Sequence, residues 1–223
     1  ISQNIEANLQ IREALFDEKE ITRELESDIL SVVGKRDADD EFKRMIRDPW
    51  MWEGISHMLI HLSRFYPNFH PTGRVLAKTS IKYDVHDHGL DVIAIYDSGA
   101  LGITAGECKA YFDNPTRAIL DAANKLREVD ANKRDIEIRC AVNQLRSALD
   151  NEAKSKIAGS FWKNERSYMP FVCCDEKCVQ DWNKNRKSLK RLDTPVSHKI
   201  LFPLSLLGAR RKFDRICELM RIY

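Results

Sequence analysis

Residues 89–112 carry three charged side chains into what is otherwise an apolar hairpin. They read Gly-Leu-Asp-Val-Ile-Ala-Ile-Tyr, then Asp-Ser-Gly-Ala, then Leu-Gly-Ile-Thr-Ala-Gly-Glu-Cys-Lys-Ala-Tyr-Phe. Two runs rich in β-branched and aromatic residues flank a turn cluster at Gly99, the pattern of two paired strands. Asp91 opens the first run. Glu107 and Lys109 lie two apart near the end of the second, so a strand's period of two puts both on one face. If Ser98, Gly99 and Ala100 form a three-residue loop, Asp97 faces Leu101 and Asp91 falls opposite Glu107. The two carboxylates then share a face with Cβ atoms about 5 Å apart. A loop one residue shorter would send them to opposite faces.

Buried charges are costly unless paired or bound to a metal. Two facing carboxylates suit Mg²⁺, which takes hard oxygen ligands and keeps several waters; Mn²⁺ is the alternative ion. Lys109 would steady a metal-activated hydroxide, and the Cys108 carbonyl is a further candidate oxygen ligand. The Cys108 side chain should point away from this group, which argues against a thiol nucleophile. The competing reading is a structural hairpin with Glu107 salt-bridged to Lys109 or to an arginine.

The rest of the chain reads as α/β. Residues 4–15 and 21–33 have loose helical periods, the second ending at Gly34. Residues 41–66 read as helix with a boundary at Asp48-Pro49. Past that proline Met51, Ile55, Met58, Leu62 and Phe65 make the expected inward face, joined by Trp52 and Leu59, with Glu53, His57 and Arg64 opposite. His57 and His61 have the spacing of a metal pair but read as ordinary helix residues. Residues 74–85 are an expected first strand, making a three-strand meander with the hairpin. His86 and His88 fall in a loop. A helix starts at Asn114-Pro115 and runs to about Glu128. Further helices are expected over 132–149, 153–162 and 209–223, and strands over 168–174 and 199–206.

A net charge of +2 hides an asymmetry. Residues 1–41 hold twelve acidic and five basic side chains. A basic body with an acidic helical arm suggests a nucleic-acid surface on the body. The run Lys184, Arg186, Lys187, Lys190 and Arg191 is the candidate phosphate contact. The six cysteines form no disulfide framework, and Cys173, Cys174 and Cys178 lack a second ligand pair for zinc; a reducing cytoplasm fits best. The first residue is Ile1 rather than methionine, so a truncated chain is expected. No run is long enough to span a membrane, and there is no P-loop, so no ATP site is expected.

Asp91…Glu107-Cys108-Lys109 resembles the motif of the PD-(D/E)xK nuclease superfamily, with Gly89-Leu90 where a proline often precedes the aspartate. The chain more closely resembles HamA, the family of nuclease subunits of Hachiman anti-phage defence systems. The likeness lies in Asp-His-Gly-Leu-Asp at 87–91, the strand 92–96, Gly-Glu-Cys-Lys at 106–109, Met-Pro-Phe-Val at 169–172 and Lys-Ile-Leu-Phe-Pro at 199–203. It covers most of residues 40–223. The resemblance implies a restriction-endonuclease-like core, a central mixed sheet with a β-meander flanked by helices, over residues 42–223 behind the arm of residues 1–41. It also implies a metal-dependent DNA endonuclease with Asp91, Glu107 and Lys109 as catalytic residues, held by a partner helicase of the HamB kind. That partnership rests on the resemblance alone. Many superfamily members place a glutamate on the helix before the sheet, which makes Glu53 a candidate further ligand. Some place a glutamine on a later helix, which here would be Gln144. The alternatives are a catalytically silent nucleic-acid-binding or structural subunit of a helicase complex, and a junction-resolvase-like enzyme.

Overall fold

The computed structural model describes residues 27–63, 65, 73–81, 89–157, 161–178, 189–190 and 198–221. The expected helix at 4–15 and the histidines His86 and His88 lie outside them, as do Lys184, Arg186, Lys187 and Arg191. The chain divides into two compact units, residues 1–50 with 210–223 and residues 51–209. No helix among the described residues is long and apolar enough to cross a membrane.

In the first unit residues 27–33 are helical (α1). A short helix Asp40–Phe42 (α2), capped by Asp39, leads through a π-helical turn Lys43–Arg47 into Asp48–Ser63 (α3), whose residues from Met51 onward belong to the second unit. The expected break at Asp48-Pro49 is absent: the helical run continues through it. The widened turn lies just where the Pro49 ring would meet the Met45 carbonyl, so the proline is absorbed as a bulge. The chain closes with Ala209–Met220 (α8). Arg47, 1% exposed, bonds Asp48 at 2.8 Å and Asp214 at 2.5 Å. Arg221 donates to the carbonyls of Val33, Gly34 and Lys35, closing the C-terminal end of α1.

The second unit holds one five-stranded mixed sheet in the order β1-β2-β3-β4-β5. Its strands are Arg74–Lys78, Val92–Asp97, Leu101–Ala110, Arg166–Asp175 and Phe202–Leu206. The first three form the expected antiparallel meander, and β4 and β5 add in parallel. Between β3 and β4 run Pro115–Asp130 (α4), Asp135–Arg146 (α5), Asn151–Ser155 (α6) and Phe161–Asn164 (α7). Strand β1 stops well before residue 85. A bulge between Val75 and Ala77 bends it, and the Thr79 hydroxyl then takes the Ile93 amide in place of a ladder carbonyl.

Both central strands are buried on both faces. On one face Ile93, Ile95, Ile103 and Ala105 pack with Ile119 and Leu126 of α4 and Ile138 and Val142 of α5. On the other, the Trp52 indole N–H of α3 donates to the Phe171 carbonyl at 2.9 Å. The Phe171 ring lies over Gly106, where an added Cβ would come within 2.9 Å of it.

The face of α3 expected to point inward does so only at its start, where Met51 and Trp52 are buried. Met58, Leu62 and Phe65 are 41%, 42% and 68% exposed, while Trp52, Ser56, His57, Ile60 and Ser63 are buried. Ser56 and Ser63 return their hydroxyls to the carbonyls of Trp52 and Ile60. Their polar groups are thus satisfied within the helix, and the serines can be buried at little cost.

Trp52→Phe keeps most of the packing but leaves the Phe171 carbonyl without its donor. It should cost about 1–2 kcal/mol, and Trp52→Ala about 3–5 kcal/mol. Denaturant unfolding measures both; equal stability of Trp52→Phe and the native chain would refute the role given to this bond.

Candidate metal and catalytic site

The hairpin register matches the expectation. Asp97 pairs with Leu101 across the loop 98–100, and the ladder runs to Val92 opposite Gly106. Gly99, with φ +103°, provides the loop's left-handed residue, and its amide bonds Asp97 Oδ1 at 2.8 Å. One step beyond the last pair, the register sets Asp91 opposite Glu107, on the face lined by Ile93 and Ala105.

At that step the ladder opens. Residues 102, 104 and 106 of β3 turn their backbone groups toward β2, and so does Cys108. An unbroken ladder would pair Cys108 with Leu90 through two amide–carbonyl bonds. Instead the Cys108 amide donates to Asp91 Oδ2 at 2.7 Å, and the Leu90 amide donates to Glu137 Oε1 from α5. A strand residue's N–H and C=O leave from the same edge, so the Cys108 carbonyl points to the Asp91 side and loses its ladder donor.

Glu107 is 4% exposed. Its Oε1 accepts from Lys109 Nζ at 2.7 Å, and its Oε2 is buried with no hydrogen bond among the described residues. Burial, and then the Asp91 carboxylate, push the Glu107 carboxyl up to about 7, against the opposing pull of Lys109. Burial works to lower Lys109, but the Glu107 and Asp91 carboxylates outweigh it and hold the ammonium above its ordinary range. The Cys108 thiol is raised by burial and by Asp91. A thiol raised in this way is a weak nucleophile.

Asp91, Glu107 and Lys109 are thus brought together. Glu53 reaches the neighbourhood from α3, 12% exposed and 3.8 Å from His57 Nε2. Among the described residues no three His, Cys, Asp or Glu side chains converge as a ligand set, so Glu53 does not complete a three-carboxylate group with the other two. Gln144 and Asp91 line the same cleft of about 490 Å³, with Lys78, Glu137 and Cys140. Lys190 is exposed while its neighbour Leu189 joins the core.

His57 is not an ordinary helix residue. Fully buried, it contacts the Asp91 carbonyl at 2.9 Å through Nε2 and Lys78 Nζ at 3.3 Å through Nδ1. Sequence reasoning also missed Glu137, Thr79 and Ser56. Glu137 and Thr79 act on backbone amides 47 and 14 positions away, and Ser56 is satisfied within its own helix by the Trp52 carbonyl; a period within one helix carries no trace of the first two.

The chemistry of the donors fits a hard divalent cation. Two carboxylate groups and a released carbonyl supply oxygens, and Glu107 Oε2 is a buried acceptor with no hydrogen bond among the described residues. Mg²⁺ commonly binds through one or two carboxylates and waters.

With its folded value near 7 and an ordinary value of 4.5, Glu107 binds more protons in the native state than in the unfolded state between those pH values. Its contribution therefore becomes less favourable as pH rises through that window. In EDTA, Glu107→Gln should gain thermal stability relative to the native chain between about pH 5 and about pH 8; a constant difference in Tm would contradict the burial cost. Comparison with protein-family models, curated proteins and solved structures finds no match to this chain.

Proposed function

We propose that the chain is a metal-dependent DNA endonuclease of the PD-(D/E)xK kind, with residues 42–223 built on a restriction-endonuclease-like core. One observation carries the reading: where the ladder opens past Val92 and Gly106, Asp91 Oδ2 takes the Cys108 amide next to Glu107, and the Lys109 ammonium lies 2.7 Å from Glu107 Oε1. Asp91, Glu107 and the Cys108 carbonyl would hold Mg²⁺ or Mn²⁺. When bound, such an ion lowers the pKa of water and offsets charge growing on phosphate oxygens.

The side chains around it have separate tasks. Lys109, held protonated by two carboxylates, orients the attacking water and stabilises negative charge in the transition state. It is a poor proton acceptor at neutral pH. Asp91 keeps its carboxylate in place through the Cys108 amide. The basic residues of the body, including Lys184, Arg186, Lys187, Lys190 and Arg191, hold the phosphate backbone without reading bases, giving weak sequence specificity. The likeness to HamA extends the proposal to an effector subunit of an anti-phage complex with a helicase of the HamB kind, acting in the cytoplasm.

The purified chain should nick supercoiled plasmid with Mg²⁺ or Mn²⁺, and EDTA should abolish the nicking. Glu107→Ala/Lys109→Ala should lower the rate at least about 10²–10³-fold, the scale of losing a charge-stabilising group. Equal nicking by the double variant would refute the assignment. The rate should also fall steeply between about 50 mM and about 200 mM salt as phosphate contacts are screened; a flat salt profile would remove the backbone-holding role.

A further inference from the structure

Asp91 precedes β2 and lies outside the ladder, so pairing alone does not fix its carboxylate. Three bonds hold this part of the backbone and side chain. The Leu90 amide goes to Glu137, Asp91 Oδ2 accepts from the Cys108 amide, and the Asp91 carbonyl meets His57 Nε2. The last comes from α3, on the opposite side of the sheet from Glu137.

Lys78 favours one tautomer of the His57 ring. Lys78 Nζ lies 3.3 Å from Nδ1, and an ammonium can only donate, so Nδ1 accepts and carries no proton. Nε2 then carries the proton and donates to the Asp91 carbonyl. The Glu53 carboxylate, 3.8 Å from the same Nε2, favours that hydrogen electrostatically. The ring is 0% exposed, so no bulk water can replace the bond if it is lost. An anchor on the aspartate's own carbonyl limits rotation of its backbone, and with it the direction in which the side chain leaves.

We infer that His57 is a positioning residue, braced by Lys78, which fixes Asp91 opposite Glu107 for cation binding. The inference rests on the proposed metal site and adds a residue that touches no ligand itself.

Mn²⁺ titrated into the full chain, with free ion read by electron paramagnetic resonance, separates the two. Glu107→Gln sets the baseline. His57→Leu should weaken Mn²⁺ binding about 10-fold or more, the scale of losing an outer partner of a ligand. His57→Gln puts an amide N–H near the Nε2 position and should stay within about threefold of the native chain. His57→Asn reaches only the Nδ1 position and should lose affinity as His57→Leu does. The Gln and Asn pair decides the matter if His57→Leu does not fold. A native chain that binds no more tightly than Glu107→Gln would overturn the metal site and the brace with it. A native chain that binds, with Gln and Asn variants binding alike, would leave the site standing and overturn the brace.

Discussion

The register between β2 and β3 is the constraint on which the rest depends. It follows from one three-residue loop and from alternation along two strands buried on both faces. Because each strand presents alternate residues to each helix layer, a slip by one would expose Ile93, Ile103 and Ala105 to the wrong packing partners and separate the two carboxylates. The apolar core under α4 and α5 therefore enforces the same register that assembles the charged group, and core packing and site geometry are one selection.

The charges are kept at a cost that packing alone would not tolerate. Two carboxylates and one ammonium share a small, mostly buried volume, and one Glu107 oxygen makes no hydrogen bond among the described residues. Pairing with Lys109 offsets part of the desolvation, but Glu107 still favours its proton more than a surface glutamate would. A purely structural salt bridge gains little from such an arrangement. The opened ladder points the same way, because two backbone amides are given to carboxylates where ordinary strand pairing was available.

The hairpin, the meander, the helices Pro115–Asp130, Asp135–Arg146 and Ala209–Met220 and the two late strands are legible because each leaves a local trace: alternation, a glycine turn, a capped proline; the single helix expected over 153–162 is instead two short ones, Asn151–Ser155 and Phe161–Asn164. The orientation of α3 is not legible. Met51 and Trp52 are buried as the period implies, but further along Met58 and Leu62 are apolar and outward while Ser56, His57 and Ser63 are polar and inward, so the hydrophobic period misleads past the first turn. Ser56 and Ser63 are made buriable by their own helix. His57 is made buriable by Lys78 and Asp91, which lie 21 and 34 positions on. Glu137 is 47 positions from the Leu90 amide that it binds. Partners at such separations are set by tertiary packing, which no single-segment pattern records.

Cys108 stands between the two charged residues of the motif, yet the strand pleat sends its sulfur to the far side of the sheet, against Ser56. Burial and nearby negative charge keep it a thiol and shield it from peroxide and alkylating reagents. Cys140 differs: it is exposed, and it lines the cleft that Asp91 also lines. Thiol-directed chemistry at Cys140 therefore has a foothold on the cleft wall, where a label would sense what enters the cleft.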